Sequence, residues 1–577
     1  MTPVNVYILS EASLGSLLWD VLNRRPAVVL GVWAYIRPLQ VLLCWLLDRL
    51  IASGRVRGPL QIDGLPWHEN VPGRGGFYND VHHRAEQSLL TLYGLADDDP
   101  LNTEFSYAFR KGLTDTVGKL TPMYLTAEWI SENWAAGSWN LVGMPPLMQD
   151  LASVLKPPFA PIQDKRWYQG ALNGLNCLVV VFGICLWLII RVRPNVVPEH
   201  LDLMFDEADN LDRLLIHQAA KAGNSFVVLD RSLAHRLDQK DKLTPFRHCL
   251  REDARIPLSR LLPLCKTAVC ELATLWKRHR RKDQGVFSQW SAQIVRKAIF
   301  SALFCRFRPK RFWARDDYST EHVIRSQEVR KIGGTNYSMS HGLPINTYVH
   351  MWREIDFDTY FTFGRHLTRY YKDSWSPRME IIPTGPFRQP VDMRERIAVA
   401  KRDKDIVFFA MAAHEMPKIM EIICQVAAHF ADRRILLKMK PGRSQYDLDK
   451  LADSLRDAPP NLVTTTTDSY QLMLECSYVI TSGSSTTVES LSFGLPTFVI
   501  DVDPSLRAMY YRNFPGLTVN DAETIISRIE AIEAGVQSFD FNAFSELVVL
   551  DGPHPSETIS QALGIEPKPA AMVDHVS

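Results

Sequence analysis

The alternation of short apolar runs with helical stretches between residues 405 and 533 most constrains the fold of this chain. Strands buried on both faces give such runs, and crossover helices space their apolar residues three or four apart. The pattern therefore predicts a parallel sheet that is covered by helices on both faces. The predicted strands are 405–410, 435–439, 461–465, 478–481 and 497–501, and the predicted helices are 416–431, 446–455, 468–476, 488–493 and 522–533.

An earlier part of the chain shows the same alternation, which predicts a second doubly wound unit. A helix is predicted at 319–332, where Gly333-Gly334 ends it. The strands predicted around it are 226–230, 311–315, 335–340 and 358–363.

Prolines and a run of charged residues at 388–404 predict a linker between the two units. Residues 4–9 are predicted to form the first buried strand of the N-terminal unit. The predicted fold is α/β, with two doubly wound Rossmann-like domains. The N-terminal domain covers 1–390 and has a large, mainly helical insertion at about 27–200, a candidate for membrane association. The C-terminal domain covers 391–565, and 566–577 form a tail.

Composition narrows the partners only slightly. The formal net charge is +1, so the average charge predicts no partner. None of the nine cysteines forms a Cys-x-x-Cys pair or a metal spacing, and the N-terminus lacks the pattern of a signal peptide. These features favour reduced thiols in a cytoplasmic protein, without a bound metal.

A loop of small hydroxyl residues follows the predicted strand 478–481. From Ser482 it reads Ser-Gly-Ser-Ser-Thr and leads into a helix that Ser484 or Ser485 can cap. Gly483 allows a ligand to approach the backbone closely. Free N–H groups at a helix start attract anions, and loops at the carboxyl ends of parallel strands bind ligands. The loop is a candidate phosphate site; the alternative is a well-capped helix that binds nothing.

His341 follows the predicted strand 335–340, and Gly342 and Pro344 fix a turn after it. Histidine is the natural general base near neutral pH, and a loop beyond a strand is where side chains meet ligands. His341 is therefore a candidate catalytic base. The alternative is a loop histidine that bonds to the local backbone.

Asp316 and Asp317 lie at another predicted strand end, before a helix. Acidic residues in this position often only cap the helix. Alternatively one of them is the catalytic base, or the pair binds acceptor hydroxyls. Gly364, Gly385 and Gly342 are expected to line the cleft between the halves.

Residues 171–190 carry no charge and are long enough to span a bilayer, with basic residues on both sides. The segment is a transmembrane helix, a monotopic anchor or a buried core helix, and the flanking charges leave its orientation open.

Residues 277–315 contain twelve Lys or Arg and one acid, Asp283. Apolar residues such as Phe287, Trp290 and Ile294 recur there at helical spacing, as in a basic amphipathic helix that binds a membrane surface. The alternative is a solvated basic face. No stacking or zinc motif indicates nucleic acid, and none is expected as a partner.

The phosphate loop and the histidine turn together resemble bacterial surface-polysaccharide glycosyltransferases of the GT-B fold. Related segments occur in CDP-glycerol glycerophosphotransferases, capsule Kdo transferases and polysialyltransferases. The similar stretches are residues 478–496 and His341-Gly-Leu-Pro344, within a resemblance that covers about 311–505. The CDP-glycerol enzymes place an acidic residue and a tyrosine before the paired serines, where this chain has Ser482-Gly483. The resemblance therefore predicts a class of donor and not glycerol phosphate in particular.

The resemblance implies roles for several residues. Ser484, Ser485 and Thr486 would hold the donor phosphate, and Glu489 would reach the ribose. His341 would be the base. Lys440 stands where related families have a histidine that touches the nucleotide phosphate, and its charge can stabilise a leaving phosphate.

The predicted function is transfer of a sugar from a nucleotide-activated donor to a lipid-linked or oligosaccharide acceptor in surface-polysaccharide biosynthesis. It would need no metal and no cofactor besides the nucleotide-sugar substrate. The expected location is the cytoplasmic face of the inner membrane, peripheral or with one anchor, through 277–315 and 171–190. The alternatives are an alditol-phosphate transferase of the CDP-glycerol type and a non-catalytic, membrane-associated assembly protein.

Overall fold

The computed structural model describes residues 3–10, 13–32, 37–58, 77–95, 100–157, 167–206, 212–230, 246–314, 317–343, 352–387, 389–410, 416–439, 451–502 and 509–565. Sixteen strands in these ranges form three parallel sheets. The strands are β1 (Val4–Leu9), β2 (Ala27–Val32), β3 (Trp139–Val142), β4 (Glu199–Asp206), β5 (Phe226–Asp230), β6 (His248–Leu250), β7 (Phe307–Ala314), β8 (Thr335–Met339), β9 (Thr359–Thr362), β10 (Glu380–Pro383), β11 (Asp403–Ala410), β12 (Ile435–Met439), β13 (Leu462–Thr464), β14 (Cys476–Thr481), β15 (Thr497–Ile500) and β16 (Thr518–Val519).

Helices connect and cover these strands. Those with both ends described are α1 (Leu14–Leu22), α2 (Arg37–Ala52), α3 (Phe77–Leu92), α4 (Pro100–Asn133), α5 (Pro146–Leu155), α6 (Trp167–Arg191), α7 (Asp212–Lys221), α8 (Leu258–His279), α9 (Gln284–Arg306), α10 (Glu321–Lys331), α11 (His366–Tyr371), α12 (Met393–Val399), α13 (Met416–His429), α14 (Ser469–Glu475), α15 (Thr486–Ser492), α16 (Ala522–Glu533) and α17 (Pro555–Ala562).

The seven-stranded sheet has the order β10-β9-β8-β7-β4-β5-β6, and all of its pairs are parallel. The chain steps outward from β4 to β6, returns to pair β7 with β4, and then steps outward on the other side. This is the doubly wound order, and the direction of winding reverses between β4 and β7. Ligands bind beyond the carboxyl ends of the strands at such a reversal.

The six-stranded sheet repeats this plan with the order β13-β12-β11-β14-β15-β16. Its reversal lies between β11 and β14, and the hydroxyl-rich loop follows β14 directly. The predicted fold class, an α/β chain with two doubly wound Rossmann-like domains, is therefore confirmed. Three predicted elements match at both ends: 226–230, 435–439 and 522–533. The start of the helix predicted at 446–455 lies outside the described residues.

The buried strand predicted at residues 4–9 is confirmed, but it does not belong to the seven-stranded sheet. Residues 4–9 form β1, but β1 pairs with β2 and β3 in a separate sheet of order β2-β1-β3. A short crossover through α1 makes β2 the nearest parallel partner of β1. The seven-stranded sheet begins only at β4, so the helical region at 27–200 surrounds a small sheet of its own.

Helices of this N-terminal region share one core with the seven-stranded sheet. Trp290 of α9 is fully buried, its ring stacks on Phe109 of α4, and its Nε1 donates to the Phe109 carbonyl at 2.9 Å. Phe287 and Ile294 are buried in the same cluster. These residues were expected to face a membrane, which is wrong, because α4 covers that face of α9.

The two doubly wound sheets meet at the ends of β9 and β10. Beyond the six-stranded sheet the chain runs back to them, where Val549 N–H donates to the Phe363 carbonyl at 2.9 Å and His366 N–H donates to the Glu546 carbonyl at 2.8 Å. Helix α17 then packs on α7 of the seven-stranded unit, and Ser560 Oγ donates to Gln218 Oε1 at 2.6 Å. The C-terminal segment therefore fastens one unit to the other.

Gly364 allows this backbone contact, so Gly364→Ala is expected to loosen it. A Cβ at Gly364 would lie 2.4 Å from both the carbonyl carbon and oxygen of Leu547. Backbone cannot rotate away as a side chain can, so we expect a loss of about 1–3 kcal/mol in the free energy of unfolding, measured by urea denaturation. Gly15→Ala in α1 is the matched control, since a Cβ there meets nothing within 4 Å. Equal stability of the two variants would contradict the contact.

Candidate functional site

An aspartate and a histidine meet beyond the carboxyl ends of β7 and β8. These strands are neighbours, so the loops that follow them lie side by side. His341 Nδ1 lies 2.5 Å from Asp317 Oδ1, and the His341 backbone N–H donates to Asp317 Oδ2 at 3.2 Å. Since a carboxylate only accepts hydrogen bonds, we assign the proton to Nδ1. Nε2 of His341 is then the nitrogen able to accept a proton.

Asp317 is buried, whereas His341 keeps 23% of its side chain exposed. Tyr360 of β9 donates its hydroxyl to Asp317 Oδ2 at 2.6 Å, so hydrogen bonds reach both carboxylate oxygens. Burial by itself raises the pKa of Asp317, but the charge of His341 and the bonds from His341 and Tyr360 outweigh it and lower that pKa. Burial and the Asp317 charge raise the pKa of Tyr360, which therefore stays a donor.

Aromatic rings fix the imidazole on two sides. Trp352 stacks on His341 with ring centres 4.8 Å apart and planes 15° apart, and Tyr318 meets it edge-on at 5.0 Å. Trp352 in turn gives its Nε1–H to Ser340 Oγ at 3.3 Å, and its carbonyl accepts from Trp375 Nε1 at 2.6 Å. The ring of His341 is therefore oriented before any ligand arrives.

The N-terminal helices hold the segment that carries Trp352. Arg353 pairs with Glu86 of α3 at 2.6 Å, and its carbonyl accepts from Lys111 of α4 at 3.0 Å. Glu354, the next residue, has φ +55 and is buried beside Arg110 of α4. Burial raises the pKa of Glu354 to about 7. Charged side chains of α3 and α4 therefore hold this turn, whose backbone is strained at Glu354.

The hydroxyl-rich loop lies beyond β14, at the reversal point of the other sheet. Gly483 has φ +89, a conformation that side chains other than glycine rarely adopt. Ser484 Oγ accepts from the Thr486 N–H at 3.3 Å, whereas Ser485, the N-cap residue of α15, makes no capping bond with its side chain. Thr486 Oγ1 is buried and has no hydrogen-bond partner among the described residues.

Tyr511 supports this loop from behind. Its hydroxyl donates to the Ser484 carbonyl at 2.9 Å, and its pKa is raised by burial and, more weakly, by the nearby charge of Glu489. The adjacent Tyr510 packs edge-on against His366 of α11 at 4.8 Å. Helix α11 follows β9 of the other unit, so one pair of tyrosines connects the loop to the half that carries His341.

The predicted site residues fall into distinct groups. His341 and Asp317 are in contact, and Ser484, Ser485 and Thr486 form the loop of the other half. Glu489 lies in α15, which follows the loop, and the residue is only 6% exposed. The Gly342 carbonyl accepts from Ser340 Oγ in the histidine turn, and Gly385 has φ +89 and lies where an added Cβ would come within 3.3 Å of the Val549 carbonyl oxygen. Asp316 and Lys440 lie outside the described residues.

Sequence reasoning missed the residues that support the site. Trp352 lies 11 positions from His341, Tyr360 lies 43 from Asp317 and Tyr511 lies 27 from Ser484, and no sequence spacing connects these pairs. Of the supporting residues, only Tyr318 had a sequence signal, because it directly follows the candidate residue Asp317. The described residues include no group of three or more His, Cys, Asp or Glu side chains that could hold a metal ion.

No protein-family model matches the chain, and no curated protein matches it. Among solved structures, the wall teichoic acid polymerase TagF soaked with CDPG has a TM-score of 0.38 and 11% identity, covering 70% of this chain and 98% of its own. MurG of Acinetobacter baumannii has a TM-score of 0.37 and 10% identity, and the match covers 64% of this chain and 100% of MurG. The UDP-GlcNAc 2-epimerase of Neisseria meningitidis bound to UDP-GlcNAc has a TM-score of 0.38 and 12% identity. That match covers 64% of this chain and 100% of the epimerase.

These structural neighbours are proteins of the GT-B fold, and their similarity to this chain is weak. The assignment of this chain to the GT-B fold class rests on its own strand order, with two doubly wound sheets joined at their carboxyl ends.

Asp317→Asn is expected to reduce the free energy of unfolding at pH 7 by about 2 kcal/mol, because the amide cannot accept all three hydrogen bonds. The pKa of Asp317 is lowered in the folded state, so its contribution is present above the ordinary carboxyl pKa. It is lost as the pH falls through the lowered value. Urea unfolding at neutral and at strongly acidic pH should show that the difference in free energy of unfolding between the wild type and Asp317→Asn is smaller in acid.

Asp432→Asn, at a carboxylate that is 75% exposed, is the control and should change stability little at either pH. A gap for Asp317→Asn that stays constant from neutral to acidic pH would contradict the ion pair.

Proposed function

We propose that the chain is a GT-B glycosyltransferase that moves a sugar from a nucleotide-activated donor to a hydroxyl of a lipid-linked or oligosaccharide acceptor, in surface-polysaccharide biosynthesis. The observation that carries the proposal is the Asp317–His341 pair, an oriented base at the carboxyl edge of one doubly wound sheet. The second support is the loop of Ser484, Ser485 and Thr486 at the reversal point of the other sheet. Two adjacent tyrosines join the halves, since Tyr510 packs on His366 of α11 and Tyr511 donates to the Ser484 carbonyl.

In the proposed reaction His341 Nε2 takes the proton of the acceptor hydroxyl as its oxygen bonds to the anomeric carbon. The bond between that carbon and the donor phosphate oxygen breaks, and the nucleotide leaves with the electron pair. Asp317 stabilises the imidazolium that forms and holds the ring in position. In this proposal Asp317 is a positioning residue, and its burial argues against a role as the base.

The leaving phosphate would be held by backbone N–H groups and hydroxyls at the start of α15, and by Lys440. Two observations support this role: Thr486 Oγ1 has no hydrogen-bond partner among the described residues, and the Ser485 side chain makes no capping bond, so a ligand oxygen could bond to either hydroxyl. Glu489 would accept from the ribose hydroxyls after a shift of its buried side chain. In this proposal no metal is needed, and EDTA should leave the rate unchanged.

Nucleotide binding is the first test. Thermal-shift measurements with CMP, CDP, UDP and GDP are expected to show stabilisation by at least one of them, because a ligand that binds only the folded state raises its stability. Ser485→Ala should weaken that response roughly tenfold in Kd, the effect of one lost hydrogen bond to a charged group. Ser527→Ala, on the exposed side of α16, is the matched control. No response to any nucleotide would favour a non-catalytic assembly protein.

Catalysis is tested by transfer assays with a panel of nucleotide donors and mass-spectrometric detection. With the active donor, His341→Gln should lower kcat by about 10²–10⁴ while donor binding stays intact, since the variant lacks only the base. Asp317→Asn should lower kcat less than His341→Gln, and His200→Gln, an exposed histidine, should have no effect. Full activity of both His341→Gln and Ser485→Ala would refute the site. Activity with CDP-glycerol alone would replace sugar transfer by alditol-phosphate transfer.

A further inference from the structure

Helix α6 presents a continuous apolar surface that no described part of the chain covers. It is long and apolar enough to cross a bilayer, yet only 17% of its apolar stretch is buried. The residues on the uncovered side recur at helical spacing over a length of about 22 Å. They form the apolar stripe, which consists of Leu175, Leu178, Val179, Phe182, Leu186, Ile189 and Ile190, each 45–70% exposed.

The opposite side of α6 is fastened to α8 from end to end. Near the start of α6, Trp276 Nε1 donates to the Gly170 carbonyl at 3.3 Å, and Asn173 donates to the carbonyls of Arg280 and Lys282 at 3.0 Å. Just beyond its end, Val192 pairs with Ile256 in a β-bridge. Ile184 and Leu188 are buried in the core that α8 and α9 share. Helix α6 is therefore half embedded in the protein along its whole length.

This attachment argues against a helix that crosses the bilayer. A spanning α6 would take α8 into the hydrocarbon with it, together with the charged residues on the exposed side of α8. Lys266 adjoins Cys265, which contacts Cys185 in the second half of α6. A lysine there would have to lie inside the membrane, where charged side chains are rarely tolerated. The structure therefore favours an α6 that lies along the membrane surface.

The charges around the stripe fit an anionic bilayer. Residues 167–193 and 255–282 contain ten Lys or Arg and one acidic residue, Glu271, which pairs with Lys297. The basic residues lie at both ends of α6 and along α8, and most are exposed. Leu258 and Leu262 of α8, 68% and 78% exposed, extend the apolar surface near the end of α6. Apolar residues bordered by basic ones are the composition of helices that lie in a headgroup layer.

We propose that α6 and α8 dock the protein on an anionic lipid bilayer, with α6 parallel to the membrane plane. The apolar stripe enters the boundary between headgroups and acyl chains, and the flanking Lys and Arg contact lipid phosphates. Of the two segments expected from sequence to contact the membrane, this surface keeps 171–190, whereas the apolar side of α9 within 277–315 lies in the protein core. The proposal does not depend on the reaction at His341.

Vesicle flotation of the full chain tests the docking. Vesicles of phosphatidylcholine mixed with phosphatidylglycerol should bind the protein, phosphatidylcholine alone should bind much less, and high salt should weaken the binding. The triple variant Leu178→Ser, Phe182→Ser, Ile189→Ser should lose more than roughly tenfold in affinity, because three apolar side chains no longer enter the lipid. The double variant Val399→Ser, Val536→Ser is the matched control, since both valines are at least 80% exposed elsewhere.

Charge is tested separately by Arg260→Glu, Lys266→Glu and Lys277→Glu in one protein, with Lys401→Glu as its control. We expect the triple charge variant to lose its preference for anionic vesicles. These positions are exposed, so folding should persist, and circular dichroism checks it. Failure of the folded wild-type protein to bind either vesicle, or unchanged binding by the apolar triple variant, would overturn the proposal.

Orientation is tested with a fluorophore introduced through a non-canonical amino acid at Ala171 or at Asn195, near the two ends of α6. After the protein is added to preformed vesicles, an impermeant quencher outside should reach both positions. Protection of one end but not the other would show that the helix spans the bilayer, and would overturn the in-plane arrangement.

Discussion

The backbone hydrogen bonds that join residues 546–549 to the segment just beyond the carboxyl end of β9 hold the two sheets together, and the proposed site depends on them. A parallel doubly wound sheet offers ligands only one edge, the one where its strands end. In this chain the returning segment bonds to that edge of the seven-stranded sheet, and Gly364 leaves room for it because it has no Cβ. The loop after β14 and the histidine turn after β8 thereby belong to connected halves.

In the seven-stranded unit, the burial of Asp317 determines how this carboxylate can act. A carboxylate as deeply buried as Asp317 would carry a raised pKa by itself, and here a histidine and a tyrosine reverse the effect. Their hydrogen bonds leave the carboxylate little freedom to turn toward a substrate. It can therefore act only through His341, whose exposed side remains available. The Trp352 ring reinforces this arrangement, and the charges of α3 and α4 hold its segment, so the helical region takes part in shaping the site.

How far the sequence predicts this molecule depends on the distance over which each signal acts. Apolar periodicity and Gly483 are local signals, so five of the six strands of the six-stranded sheet were predicted closely, and so was the loop after β14. Strands β4, β6 and β10 of the seven-stranded sheet were not predicted. The pairing of β1 with β2 and β3 was missed, because a buried strand has the same composition in any parallel sheet. His341 and Asp317 were each found from a motif, but only tertiary structure brings together residues 24 positions apart. Trp352 and Tyr360 had no local signal.

Helix α6 is a second case in which the sequence alone leaves the surroundings of a segment undecided. Its composition satisfies the length and hydropathy of a membrane span, and the sequence left a span, an anchor and a core helix open. Packing separates them: low burial argues against a core helix, and the bonds to α8 tie it to a helix with exposed charges. Placing even one such lysine at the bilayer centre costs about 3 kcal/mol, whereas at the surface the same charge is attracted to anionic lipid by about 1 kcal/mol. Because α8 carries several basic residues, the balance favours an α6 that lies on the membrane. The apolar side of the neighbouring α9 was predicted to bind lipid, yet it supplies the core against which α6 packs.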